Sequence, residues 1–80
     1  MPKLRRISGK NLIKILLAED FLQVRQIGSH VRLVKKISET SHYITVPLHD
    51  ELDRGTLKSI IRSLYRCFDS DKIKKLFYTK

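Results

Sequence analysis

From Lys10 onward, Leu12, Ile13, Leu16 and Leu17 fall three and four residues apart, the spacing of one apolar helix face. Ser8 stands just ahead of them, with a hydroxyl able to accept from first-turn amides, so a helix is predicted from about Gly9 to Ala18. Lys10 and Lys14, four apart, share another side of it. The pattern then changes to β-branched and aromatic residues with looser alternation over Phe21 to Ile27. A second such run, His30 to Val34, follows Gly28-Ser29. A two-residue loop that begins with glycine suits a type II′ hairpin turn. That turn sets Ile27 opposite His30, Arg25 opposite Arg32 and Val24 opposite Leu33. Alternation then directs Leu22, Val24, Val31 and Leu33 to one face and Arg25, His30 and Arg32 to the other. Lys35 to His42 is mostly charged or polar and reads as a loose hairpin tip. Tyr43 to Val46 is a third strand, with Ile44 and Val46 inward, ended by Pro47, which cannot donate to a ladder.

Leu48 to Gly55 reads as an acidic loop. Thr56 is the expected cap of a second helix, with Leu57, Ile60, Ile61 and Leu64 as its apolar stripe and Lys58, Arg62 and Arg66 on the opposite side. Asp69-Ser70-Asp71 introduces a short last helix bearing Ile73, Leu76 and Phe77, and residues 1–7 form a basic arm. The expected fold is therefore a single α+β domain over residues 1–80. It has two layers in the order α-β-β-β-α, with a short extra C-terminal helix, and two helices cover one face of the sheet. This order resembles the double-stranded-RNA-binding fold.

Charge changes the picture from fold to partner. Seventeen Lys and Arg against eight Asp and Glu give a formal net charge of +9 in 80 residues, a field that attracts polyanions, nucleic acid first among them. A chain of this size buries only about 60–65% of the surface exposed when unfolded, so any active site is expected to be shallow. The single cysteine, Cys67, excludes an internal disulfide, and three histidines in no ligand spacing give no expectation of a metal or other cofactor. With neither a signal-peptide pattern nor an apolar run near the roughly 20 residues of a membrane span, a cytoplasmic location is expected.

The chemistry concentrates in Arg25-Gln-Ile-Gly-Ser-His-Val-Arg32. Two arginines directly opposed across a hairpin repel each other. A phosphate bridging them would relieve this, because guanidinium forks match its oxygens. His30 stands beside them, and an imidazole can take up or give a proton near neutral pH. RNA scission asks for a base to deprotonate the 2′-hydroxyl and for cations to meet charge gathering on the phosphate, with positioned acid–base help contributing roughly 10²- to 10⁴-fold. His49, next to Asp50, is a possible second acid–base group or a plain loop residue. Lys10, Lys14, Lys58 and Arg62 are candidate phosphate contacts. Tyr43 is a candidate base-stacking residue, while His42 reads as solvated.

Taken in order, Ser8-Gly9-Lys10, Phe21, Arg25-Gln26-Ile27-Gly28-Ser29-His30, Thr45-Val46-Pro47-Leu48-His49 and Gly55-Thr56-Leu57 with Ile60 resemble the HicA, or YcfA-like, toxin family over roughly residues 3 to 64. The resemblance implies a metal-independent endoribonuclease of a type II toxin–antitoxin pair. Such a protein cuts mRNA and is neutralised by a HicB-like antitoxin. It also implies that His30, in Gly28-Ser29-His30, is the catalytic residue. The segment between Leu33 and Thr45 is longer than the family pattern, and Tyr65 to Lys80 departs from it. From another class, the same fold and charge suit a non-catalytic module that binds double-stranded RNA by shape.

Overall fold

The computed structural model describes residues 2–79; Met1, the first residue of the expected arm, and Lys80 lie outside the described residues. The elements are β1 (Lys3–Leu4), α1 (Gly9–Ala18), β2 (Leu22–Ile27), β3 (His30–Ile37), β4 (Thr40–Pro47), α2 (Arg54–Leu64), α3 (Ser70–Phe77) and β5 (Tyr78–Thr79). Strands β2-β3-β4 form an antiparallel meander in that order, and the helices cover one of its faces. This is the expected two-layer α+β architecture, double-stranded-RNA-binding-domain-like, with the added C-terminal helix.

The local chemistry explains the boundaries. The Ser8 hydroxyl accepts from the Asn11 amide and starts α1. Asp20, with φ of 73°, ends it in a Schellman arrangement: Phe21 N–H donates to Leu16 O (3.0 Å) and Asp20 N–H to Leu17 O (3.3 Å). Helix α2 is capped by Asp53, three residues earlier than the expected Thr56. The Asp53 carboxylate accepts from the Thr56 amide (3.0 Å) and hydroxyl (2.6 Å), so Thr56 is the donor to the cap. Those bonds, the hydroxyl first, hold the Asp53 carboxyl below its ordinary value. Asp69 caps α3 in the same way, accepting from Lys72 N–H at 2.8 Å.

One core unites the layers. Val31 and Leu33 of β3 and Ile44 and Val46 of β4 meet Leu12, Leu16, Phe21, Leu57, Ile61, Leu64, Ile73 and Phe77. Cys67 is half-buried at its margin, and burial pushes its thiol up despite the nearby Lys35 and Arg66 cations. Leu17, expected in the α1 stripe, is exposed, because three residues per two turns already fill the contact.

Three expectations about the sheet are corrected. Between Gln23 and Arg25 the register of β2 slips, leaving Val24 unpaired and setting Gln23, not Val24, opposite Leu33. The slip turns Leu22 to the open face opposite Val34, and the helices leave every side chain of β2 exposed, so Leu22 and Val24 are not core. The expected loose tip is instead a continuation of β3 and β4 to a two-residue turn, Ser38-Glu39, with Ser38 at φ of 54° and Ile37 paired with Thr40. Within it, Lys35 and His42 face the helical side, Lys35 donating to Glu19 O at 2.8 Å and lying over the Phe68 ring, so His42 is half-buried. Finally, the N-terminal arm is no free arm. Strand β1 pairs with β5, and Arg5 N–H donates to Phe77 O at 2.8 Å. Among the described residues no helix is long and apolar enough to cross a membrane.

Candidate functional site

Three separate stretches of sequence meet at one end of the sheet. The first is the turn Gly28-Ser29, where Gly28 has φ of 56° and Ser29 has an ordinary negative one, the type II′ pattern. A side chain at Gly28 would meet nothing within 4 Å, so glycine is required there by the backbone angle alone. His30 follows as the first residue of β3, paired with Ile27 on one side and Pro47 on the other. The second stretch, Pro47-Leu48-His49, is hooked to that turn by Leu48 N–H donating to Ser29 O at 2.7 Å. The third, Ser8-Gly9-Lys10, is hooked to the second by Gly9 N–H donating to His49 O at 2.9 Å. The approach is so close that a Cβ on Gly9 would lie 1.9 Å from Pro47 O. Glycine is required there by space. Ser8, Lys10, Leu48, His49 and Asp50 line a shallow hollow of about 310 Å³ at this corner.

Pairing fixes what shares the open sheet face. Directly opposed residues lie on the same side, so successive rows are Ile27-His30-Pro47, Arg25-Arg32-Thr45 and Leu22-Val34-Tyr43. None of these residues is acidic. His30, Arg25 and Arg32 are exposed, as is His49 at the corner. Neither His30 nor His49 has a side-chain hydrogen bond or a carboxylate partner among the described residues, so Asp50 does not orient His49.

The Arg25–Arg32 register is as expected, but the strain it implied is relieved internally. The Arg32 guanidinium lies 4.6 Å from the centre of the Tyr43 ring and donates to Thr45 Oγ1 at 3.4 Å, so it leans toward β4 and away from Arg25. An exposed cation–π contact is worth about 0.5–1 kcal/mol, comparable to the repulsion of an exposed cross-strand pair. The arginines therefore need no bridging anion in order to exist side by side. They remain two cations free to take one.

The predicted site residues fall into two groups. Gly28, Ser29, His30, Arg25 and Arg32 share the turn and open face, with His49 and Lys10 at the adjoining corner. Lys14 instead lines a hollow with Arg5, Arg6 and Asn11 in the helical layer. Lys58 and Arg62 stand on the side of α2 opposite its buried stripe, so they face away from the sheet and from His30. Sequence reasoning missed the exposed apolar members of the open face, Leu22 and Ile27. It also missed the cations that surround Lys14 and Lys58. Among the described residues no group of three or more His, Cys, Asp or Glu side chains comes together.

The family model for the HicA toxin of bacterial toxin-antitoxin matches residues 9–64. All three converging stretches lie in that span except Ser8, which immediately precedes it. No match was found among curated proteins or among solved structures.

Proposed function

This chain belongs to the HicA toxin family of bacterial toxin–antitoxin systems, and from that premise we propose that it is a cytoplasmic endoribonuclease that cleaves mRNA without a metal ion. The observation that carries the proposal is the exposed imidazole of His30 on a sheet face with two arginines and no carboxylate. In this reading His30 removes the proton of a ribose 2′-hydroxyl. The freed oxygen attacks the adjacent phosphorus, the bond to the 5′-oxygen breaks, and that oxygen leaves with a proton. The products are a 2′,3′-cyclic phosphate and a 5′-hydroxyl. Arg25 and Arg32 meet the charge on the non-bridging oxygens. Lys10 holds a neighbouring phosphate. The proton for the leaving group comes from His49, Ser29, a lysine or water.

A toxin requires an antitoxin, and a HicB-like protein is the proposed partner. The open face suits one, since exposed Leu22, Ile27 and Tyr43 alternate there with cations. A partner offering apolar and acidic groups would cover His30 while docking.

The test is cleavage of a labelled RNA by wild type and His30→Ala. The variant is expected to lose roughly 10²- to 10⁴-fold in rate while still binding RNA. A single 2′-deoxy substitution at the cut site abolishes cleavage, and a chelator leaves it unchanged. A His30→Ala protein that cuts as wild type does refutes the assignment. Wild type that binds duplex RNA but never cuts is instead the shape-reading module.

A further inference from the structure

Residues outside the matched segment join the outer side of α2 in a second surface. Strands β1 and β5 pair Lys3 with Thr79 and Leu4 with Tyr78, and the Arg5 guanidinium fastens the joint by donating to Leu76 O at 3.0 Å. This clasp lies against the outer side of α2. Lys3, Arg6, Arg54, Lys58 and Tyr78 line one hollow of about 520 Å³ there. Tyr65, Lys74 and Tyr78 line a second of about 280 Å³, and Pro2 and Tyr78 belong to both, so the two are continuous. No carboxylate side chain lines either; Asp71 lines the adjoining hollow that shares Pro2 and Tyr78 with both. The one ion pair among the described residues is Lys72–Glu19, at 2.9 Å, away from this face.

Two details distinguish these cations from an ordinary wet surface. Arg54 opens α2 directly after the Asp53 cap, whose carboxylate is engaged by Thr56 and makes no ion pair with the Arg54 guanidinium. Tyr65, 52% exposed, stands seven residues after Lys58 and so on the same side of the helix two turns on. Cations that run along a groove and end at an exposed aromatic ring are the means by which proteins hold single strands: the cations follow the phosphates and the ring takes a base face. A duplex offers no free base face to Tyr65.

We infer that the face formed by the β1–β5 clasp and the outer side of α2 binds single-stranded RNA, with phosphates along Arg6, Arg54 and Lys58 and a base stacked on Tyr65. Arg54 and Lys58 are four residues apart, about 6 Å along the helix, comparable to the separation of successive phosphates in an extended strand. The face looks away from His30, so it holds RNA that is not being cut. The choice of RNA over DNA rests on the nuclease reading above; the binding itself does not.

The experiment is fluorescence anisotropy with a labelled single-stranded oligouridine of about 20 nucleotides, in a His30→Ala background so that the probe survives. Arg54→Gln/Lys58→Gln is compared with Lys36→Gln/Lys72→Gln, which removes the same charge elsewhere, on β3 and on the side of α3 that faces Glu19. The first pair is expected to weaken binding about tenfold at low salt and to flatten the slope of log affinity against log salt by about 1.4, from 0.7 per phosphate contact. The second pair is expected to weaken it less than about threefold. Tyr65→Ala weakens it about fivefold or more, and Tyr65→Phe restores it. All five substituted side chains reach solvent, and equal melting temperatures verify folding. Equal losses from the two pairs, or unchanged binding by Tyr65→Ala, overturn the inference. So does competition by poly-glutamate as effective as by unlabelled RNA. Wild type that binds as described yet never cuts leaves this face standing and removes the nuclease reading instead.

Discussion

Gly9→Ala isolates the joint between helix α1 and the end of β4. The new Cβ would sit 1.9 Å from Pro47 O, 2.9 Å from Pro47 C and 3.1 Å from Leu48 Cα, all backbone atoms. Ordinary contact begins at 3.4 Å, so the helix start and the strand end must separate by about 3.4 − 1.9 = 1.5 Å. Overpacking of this kind costs about 1–3 kcal/mol, and the displaced Gly9–His49 hydrogen bond adds about 1 kcal/mol. Alanine's better helix propensity returns about 0.5–1 kcal/mol. We predict a net loss of about 1–3.5 kcal/mol, a fall in Tm of roughly 5–25 °C for a domain this small. The domain should still fold, with a total stability of about 4–12 kcal/mol for its size. Because the same joint carries Lys10 and His49, RNA cleavage should fall about 10²-fold even at temperatures where the variant is folded, the usual effect of a shift near 1 Å. Gly28→Ala is the contrast. It meets no atom, and its loss of about 1–2 kcal/mol comes only from holding alanine at φ of 56°. Melting curves and cleavage rates of both variants decide the matter. A Gly9→Ala protein as stable as wild type, or more so, would show that the close approach does not constrain this position.

Phe77→Ala should cost about 3–5 kcal/mol in urea unfolding, since the ring is fully buried although it lies beyond the matched segment; a loss under about 1 kcal/mol would detach α3 from the core. For Asp53 the folded carboxyl titrates below its unfolded value, so its capping contribution is complete above about pH 4 and disappears as pH falls through the folded value. The Tm gap between wild type and Asp53→Ala should therefore be widest near neutrality and close in acid. A gap constant down to about pH 2 would mean that the carboxylate is not the capping group. Burial raises the Cys67 thiol, so iodoacetamide at about pH 7.5 should alkylate it several-fold more slowly in the folded than in the urea-unfolded chain. Equal rates would contradict that placement.

The parts of this fold that were legible in the sequence are those set by neighbours along the chain. Both ends of α1 and the Arg25–Arg32 register follow from Ser8, the 3.6-residue period and Gly28. The Val24 bulge left no trace, because no glycine marks it and Leu22, Val24 and Ile27 have strand-forming side chains on either register. Lys35 to His42 looked like loop because its inward-facing pair, Lys35 and His42, is polar, Lys35 meeting the helical layer through Glu19 O and the Phe68 ring instead of through an apolar side chain. Ser38 makes that turn without the glycine or asparagine that would announce it. At the site, Gly28-Ser29-His30 was legible as a turn with chemistry beside it. Its meeting with His49 and Gly9 was not, since those links are backbone hydrogen bonds between distant residues, to which side-chain pattern is blind.

The β1–β5 clasp also has a place in time. It joins residues 79 − 3 = 76 and 78 − 4 = 74 positions apart, whereas the β3–β4 hairpin closes over the two residues Ser38 and Glu39. Loop-closure entropy favours the hairpin first and the clasp last. With only two residues per strand, the clasp is also the unit that opens at least cost once the chain has folded. The Arg5 amide, which donates to Phe77 O, should then exchange with solvent through local fraying. Amides of central β3 such as that of Leu33 should wait for global unfolding. The clasped face is thus completed only after the sheet bearing His30 already stands, and it can come undone while that sheet persists.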